Sequence, residues 1–340
     1  MELEVVWFVV IAFLWLGYLF LEGFDFGVGM LLPVLGRDDT ERRVMINTIG
    51  PVWDGNEVWI IVAGGATFAA FPAWYAGLFS AAYLPLLFVL LALIGRGVAF
   101  EYRGKVDSDR WRRAWDKVIV IGSTVPPIGI GFIIASTVLG LPLDADGNRV
   151  GSAFAAFRWD TLLGALAVTG FSLLHGAVFI ALKTDGDIRR RARRLATAIL
   201  PVAILPVAAF AVLVQVRHGS DWTYVSLAVT VAAALVAWWR IGAGREGQAF
   251  AALGVAITGT VVTLFGALFP DVLPSTLDAA NSLTVHNASS GDYTLTVMTW
   301  VAAFGTPAVL VYQGWTYWVF RKRIKTSHIP APHTAQQVSS

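Results

Sequence analysis

The chain has no cysteine, and that single absence excludes disulfides, thiolate metal sites, iron–sulfur clusters and thiol chemistry together. Charge is also scarce, at 14% Asp, Glu, Lys and Arg, where a soluble domain carries nearer a quarter. Five histidines and four methionines leave few ligands for a metal or haem. A net charge of +2 gives no reason to expect a nucleic-acid partner.

What fills the space is apolar. Hydrophobic residues make up 56% of the 340, with 14 Trp and 21 Phe, and the mean hydropathy is +0.66. That composition belongs in lipid, with aromatic residues at the interfaces and between helices. The start, Met-Glu-Leu-Glu, lacks the basic stretch of a signal peptide, so the first apolar run is expected to remain as a helix.

A membrane span needs about 20 mostly apolar residues. By that measure the sequence predicts an all-α integral membrane protein with nine transmembrane helices, at 5–35, 51–71, 78–100, 117–141, 160–182, 192–216, 222–239, 248–269 and 293–320. Of 25 Lys and Arg, 22 fall in segments on one side of this arrangement, Arg96 counted among them. Only Arg149, Arg158 and Arg217 fall on the other. The positive-inside rule then puts the N-terminus outside and the C-terminus in the cytoplasm, which requires an odd number of spans. Residues 1–325 read as one transmembrane domain, with helices 1–4 in 1–141, helices 5–8 in 159–270 and helix 9 in 293–320. Residues 326–340 read as a disordered cytoplasmic tail. Leu21-Glu22-Gly23 and Leu174-His175-Gly176 sit at corresponding points of spans 1 and 5, each ahead of an Arg-rich segment. They suggest two four-helix units plus one extra helix.

Four acids fall inside the predicted spans: Glu22 and Asp25 on the first, Asp54 and Glu57 on the second. Each pair has i, i+3 spacing and so shares a helix face. Carboxylates are costly in a bilayer and usually mark an ion or proton path. Their bland reading is helix-to-helix bonding to Asn56, Trp53, Trp59 or Thr48. A coupling-ion site in a proton- or sodium-driven secondary transporter, or a plain membrane scaffold, also suits four such acids. His175 is the one histidine well inside a predicted span. A bis-histidine haem needs a second, so a packing role for His175 is the stronger reading. Pro126-Pro127 is expected to kink span 4. Asp144-Ala-Asp146-Gly-Asn148 is expected to be a turn, since it lacks the Gly placement and final Glu of a calcium loop.

Several longer strings carry a resemblance. EGFDFGVGML at 22–31, GRDDTERRVMINTIGPVWDGNEVWIIVAGGATFAAFP at 36–72, FEYRGK at 100–105, WRRAWD at 111–116 and GSTVPPIGIGF at 122–132 resemble subunit II of the cytochrome bd-type quinol oxidases. HGAVFIALKT at 175–184 and the aromatic stretch at 315–318 extend the likeness. The resemblance implies a subunit of a respiratory oxidase in the bacterial plasma membrane. That enzyme oxidises quinol, reduces oxygen to water and takes protons from the cytoplasm. Haem b and haem d would be ligated by the partner, subunit I, with small accessory subunits and lipids as further neighbours. No catalytic or metal-binding residue is expected in this chain. The resemblance implies proton entry at Asp54 with Asp25 nearby, and together with the in-span acids Glu57 and Glu22 the expected path is Asp54, Glu57, Asp25 and Glu22, with Asp54 first and Glu57 smaller in effect. Trp53, Asn56, Trp59 and His175 are expected to support it. Glu57 stands where members of that family often carry an amide.

Overall fold

The computed structural model describes residues 2–152 and 156–329. Among them run eleven α-helices: α1 (Leu3–Leu35), α2 (Asp39–Ile49), α3 (Trp53–Ala70), α4 (Pro72–Ala81), α5 (Tyr83–Tyr102), α6 (Asp109–Leu139), α7 (Trp159–Lys183), α8 (Gly186–His218), α9 (Thr223–Gly242), α10 (Glu246–Leu268) and α11 (Asp292–Val319). Strands β1 (Asp271–Leu273) and β2 (Leu283–Thr284) form one short antiparallel pair. This is an all-α integral membrane protein.

Eight of the helices are long and apolar enough to cross a bilayer. The ninth expected span, α3, falls short because Asp54, Asn56 and Glu57 occupy its first two turns. Its 18 residues still extend roughly 27 Å at 1.5 Å per residue. Two helices were not legible as such. The expected connection after span 1 contains α2, capped by Asp38, whose carboxylate accepts from the Glu41 N–H at 2.8 Å. It buries Val44, Met45 and Ile49 under the bundle. The expected span at 78–100 is divided, with α4 opening on Pro72 and α5 beginning afresh at Tyr83. In contrast, α6 runs as one helix through Pro126 and Pro127.

The middle of the bundle is α1. Its second half is buried almost all round, from Glu22 to Leu32, as a central helix must be. It packs on α3, α6, α7 and α10. At the crossing with α7 the backbones nearly touch. A Cβ on Gly27 would lie 2.0 Å from the Ser172 carbonyl oxygen, and one on Gly176 would lie 2.4 Å from Gly27 Cα. Only glycine permits that approach. The α7 motif enters this crossing through Gly176, whereas Gly23 of the α1 motif lies one turn away beside Phe171 and Ser172.

The basic segments gather at one end and are cross-linked there. Asp116 on α6 takes Arg42 from α2 at 3.0 Å and Arg103 at 2.6 Å, while Arg191 on α8 holds Glu41 at 2.6 Å. Arg189 and Arg323 share Glu246 at 2.8 and 3.5 Å. At the opposite end, Asp160 joins Arg158 and Arg217, and Leu141 bridges to Ser275 beside the β pair. Residues 141–149 make the expected turn, with Asp144 Oδ1 accepting from the backbone N–H of Asp146 and Asn148 at 3.0 and 2.9 Å. Of the expected tail, residues 326–328 form one 3-10 turn, and 330–340 lie outside the described residues. Helix α11 stands apart, with Leu295 its one buried residue. Near its start, Trp7 Nε1 donates to Thr299 Oγ1 at 3.0 Å.

Candidate functional site

Glu22 and Asp25 project from the central helix toward two different neighbours. Glu22 faces α5, where Arg96 donates to it from Nη2. The same nitrogen reaches Glu57 Oε2 on α3 at 3.3 Å. Glu22 and Arg96 are fully enclosed, whereas the Glu57 side chain keeps 20% of its surface open. Phe26 and Phe100 flank the guanidinium at 4.7 and 5.8 Å to their ring centroids. One cation thus serves two carboxylates in a medium where an unpaired charge is prohibitive. Gly122 on α6 makes room for it, since a Cβ there would come within 2.6 Å of Arg96 Cβ.

Asp25 faces α3 and α11. Its Oδ2 accepts from Asn56 Nδ2 at 2.7 Å. The Asn56 carbonyl oxygen accepts from the Tyr317 hydroxyl at 2.7 Å and from Gln313 Nε2 at 3.2 Å. Gln313 Oε1 in turn accepts from Trp59 Nε1 at 3.0 Å. These bonds clasp the otherwise exposed α11 onto the bundle.

The acids expected along one proton path are bonded into two networks. Glu22 and Glu57 meet through Arg96; Asp25, Asn56 and Trp59 meet through Gln313 and Tyr317. Asp54 joins neither. It is exposed, and its Oδ1 accepts from the N–H of its neighbour Gly55 at 2.8 Å. Trp53 packs its ring 5.2 Å from Phe100 and supports α5 without a polar contact to the acids. Glu57 links the Arg96 pair to an open surface. It is the one charged side chain on a groove of about 890 Å³ between α3 and α5, walled by Trp15, Ile61, Phe68, Tyr83 and Leu90.

Arg96 corrects the sequence reading, which counted it with the basic residues between spans. It lies inside α5, fully buried, because two internal carboxylates require it. A signal was present: an arginine flanked by Gly95 and Gly97 within an apolar run. Gln313 and Tyr317 gave no such signal, since a Gln and a Tyr near a span end are ordinary.

His175 packs on α1 beside these acids but makes no hydrogen bond to them. Phe250 stacks on it at 4.6 Å and 10°, Phe171 at 5.0 Å, and Phe20 and Phe24 close the remaining sides. Its Nε2–H donates to the Phe20 carbonyl oxygen at 3.1 Å. A haem would need axial side chains with room for a macrocycle. A lone histidine sealed among four phenylalanines, in a chain without cysteine, does not fit one. Elsewhere, Glu2, Glu4 and His286 bring three potential ligand atoms within 4.8 Å of one another at the exposed opposite end.

Comparison with known proteins bears on this geometry. The family model described as cytochrome bd terminal oxidase subunit II matches residues 3–320. Cytochrome bd ubiquinol oxidase subunit 2 of Bacillus subtilis is 44% identical over 328 residues, covering 95% of this chain and 97% of that one. Cytochrome bd-I ubiquinol oxidase subunit 2 of Escherichia coli is 35% identical, covering 96% of each. In fold, the chain superposes on a bd oxidase chain from Geobacillus thermodenitrificans with a TM-score of 0.77 at 18% identity, covering 95% of this chain and all of that one. The chain belongs to the cytochrome bd terminal oxidase subunit II family.

Proposed function

We propose that this chain pairs with a haem-bearing subunit I in a bacterial plasma membrane and supplies the oxidase with protons from the cytoplasmic side. As a member of its family the chain is a subunit of a respiratory terminal oxidase. Its relatives are named ubiquinol oxidases, and quinol is the substrate assigned to this complex too. Haem b and haem d belong to the partner in this reading, because His175 is sealed and, among the described residues, no second histidine is buried.

The observation that carries the proton role is the fully buried Glu22–Arg96 pair joined to the part-exposed Glu57. Reduction of oxygen to water consumes protons, and these must cross a low-dielectric layer. Carboxylates offer that passage at a tolerable cost only where a counter-charge stabilises them, and Arg96 is that counter-charge. Asp54, one turn outside, acts as the collecting group at the cytoplasmic mouth. Glu57 receives from it and faces Glu22 across the arginine. Asp25 and Asn56 form a side branch that fixes α11 against the site. Nine spans, with the N-terminus outside and the basic end in the cytoplasm, complete this arrangement.

Co-expression tests the assignment of the haems. The chain purified alone is expected to show no haem bands in a reduced-minus-oxidised spectrum and no oxidase activity. The complex with its partner is expected to show both. Haem bands from this chain alone would overturn the reading, and ion transport by the chain alone would establish the transporter instead.

A further inference from the structure

We infer that Arg96 is a positioning residue that, with Tyr18, holds a small group of water molecules inside the bundle and so carries the proton path past the carboxylates. This deepens the proton role proposed above and rests on it. The guanidinium has five N–H groups. Nη2 is taken by Glu22 and Glu57, while Nε and Nη1 have no protein partner although both are buried. Glu22 Oε2, Asp25 Oδ1 and the Tyr18 hydroxyl are equally enclosed and equally without a partner.

These atoms share one place. Tyr18, Glu22 and Asp25 are spaced i, i+4 and i+7 on α1, which puts them on one face. Tyr18 and Arg96 flank the same ring, with Phe26 6.3 Å from the Tyr18 centroid and 4.7 Å from the guanidinium carbon. The bare groups comprise three N–H donors, two carboxylate oxygens and one hydroxyl that does either. A cation would be repelled by the guanidinium, and an anion by Glu22, Asp25 and Glu57. Water, which donates and accepts, suits the mixed set, and buried water characteristically takes two to four such partners. Glu57, protonated from the cytoplasmic side, gives its proton to a water, and that water gives one of its own to Glu22, either directly or through Tyr18, whose oxygen takes the incoming proton while its own phenolic proton passes to Glu22. The water and Tyr18 end as they began, and the net step is one proton moved from Glu57 to Glu22. Glu57 is then reloaded from the cytoplasmic side and Glu22 passes its proton onward, which resets the path.

The test uses the complete oxidase, co-expressed with subunit I, carrying Tyr18→Phe or Arg96→Lys. Quinol-dependent oxygen consumption is measured in H₂O and D₂O. Tyr18→Phe is expected to keep the wild-type haem spectrum, to lower turnover several-fold and to raise the solvent isotope effect. Arg96→Lys, which keeps the charge but loses the fork, is expected to fall between Tyr18→Phe and Arg96→Gln. Wild-type turnover and isotope effect in Tyr18→Phe would overturn the inference. If Glu57→Gln slows the enzyme while Tyr18→Phe does not, only this inference fails. If neither does, the proton role fails as well. A high-resolution map of the complex decides independently of any variant. Water density within hydrogen-bond reach of Arg96 Nη1 and Glu22 Oε2 supports the inference, and a side chain of subunit I in that place overturns it.

Discussion

Glu22-Gly23 on α1 and His175-Gly176 on α7 are near-copies in sequence that press against each other in space, yet they hold opposite chemistry. Around Glu22 the neighbours are an arginine, a second glutamate and a tyrosine hydroxyl. Around His175 they are four phenylalanine rings and one backbone carbonyl. Only the α7 copy sits at the close crossing, its Gly176 pressed on Gly27 of α1, whereas Gly23 has room for a methyl group. The difference comes from the third helix. Helix α5 brings Arg96 to Glu22, and α10 brings Phe250 to His175. The helix packed alongside thus decides whether the motif carries charge.

Breaking the charged side should cost most. Arg96→Met leaves two carboxylates facing each other without a cation, and a loss of about 3–5 kcal/mol is expected. Thermal unfolding of the purified complex would register it, and an unchanged midpoint would mean that the pair contributes nothing. The crossing itself comes next. Gly27→Ala drives a methyl group into the Ser172 carbonyl and is expected to destabilise by about 3 kcal/mol. Gly23→Ala meets Phe171 only at 3.6 Å and should be nearly silent in the same assay. On the apolar side, His175→Phe is expected to cost about 1 kcal/mol or less for its one hydrogen bond, with an unaltered haem spectrum. A lost haem band would make His175 a ligand and erase the contrast.

The smallest effect concerns charge outside the membrane. Burial of Glu41 opposes its ionisation, but the Arg191 guanidinium and the Arg37 N–H outweigh that and hold its carboxyl below the usual range. A depressed value in the folded chain means a contribution complete above the ordinary carboxylate range and lost as pH falls through and below it. Acid titration of stability should therefore flatten in Glu41→Gln, and identical acid curves would rule that contribution out.

Much of this was readable beforehand. Long apolar runs gave the spans, and the acids at 22, 25, 54 and 57 were marked by their cost in lipid. Their partition was not readable, because spacing along one helix does not say which neighbour a side chain faces. Arg96 was hidden by a rule that assigns arginines to loops, although the glycines on either side marked it, and its own burial within α5 shows the exception. Helix α2 was hidden because its apolar face spans just three turns within a charged segment. The motif ranks Asp54 ahead of Glu57; we propose the opposite order, since Glu57 touches the buried pair and Asp54 does not.

The account depends on that reversal, and one experiment addresses it: turnover of the co-expressed complex carrying Glu57→Gln, at matched haem content, beside Asp54→Asn. Quinol-dependent oxygen consumption is expected to fall about tenfold or more in Glu57→Gln, equivalent to about 1.4 kcal/mol in the barrier, and less in Asp54→Asn. Wild-type turnover in Glu57→Gln, with the haem spectrum intact, would contradict it.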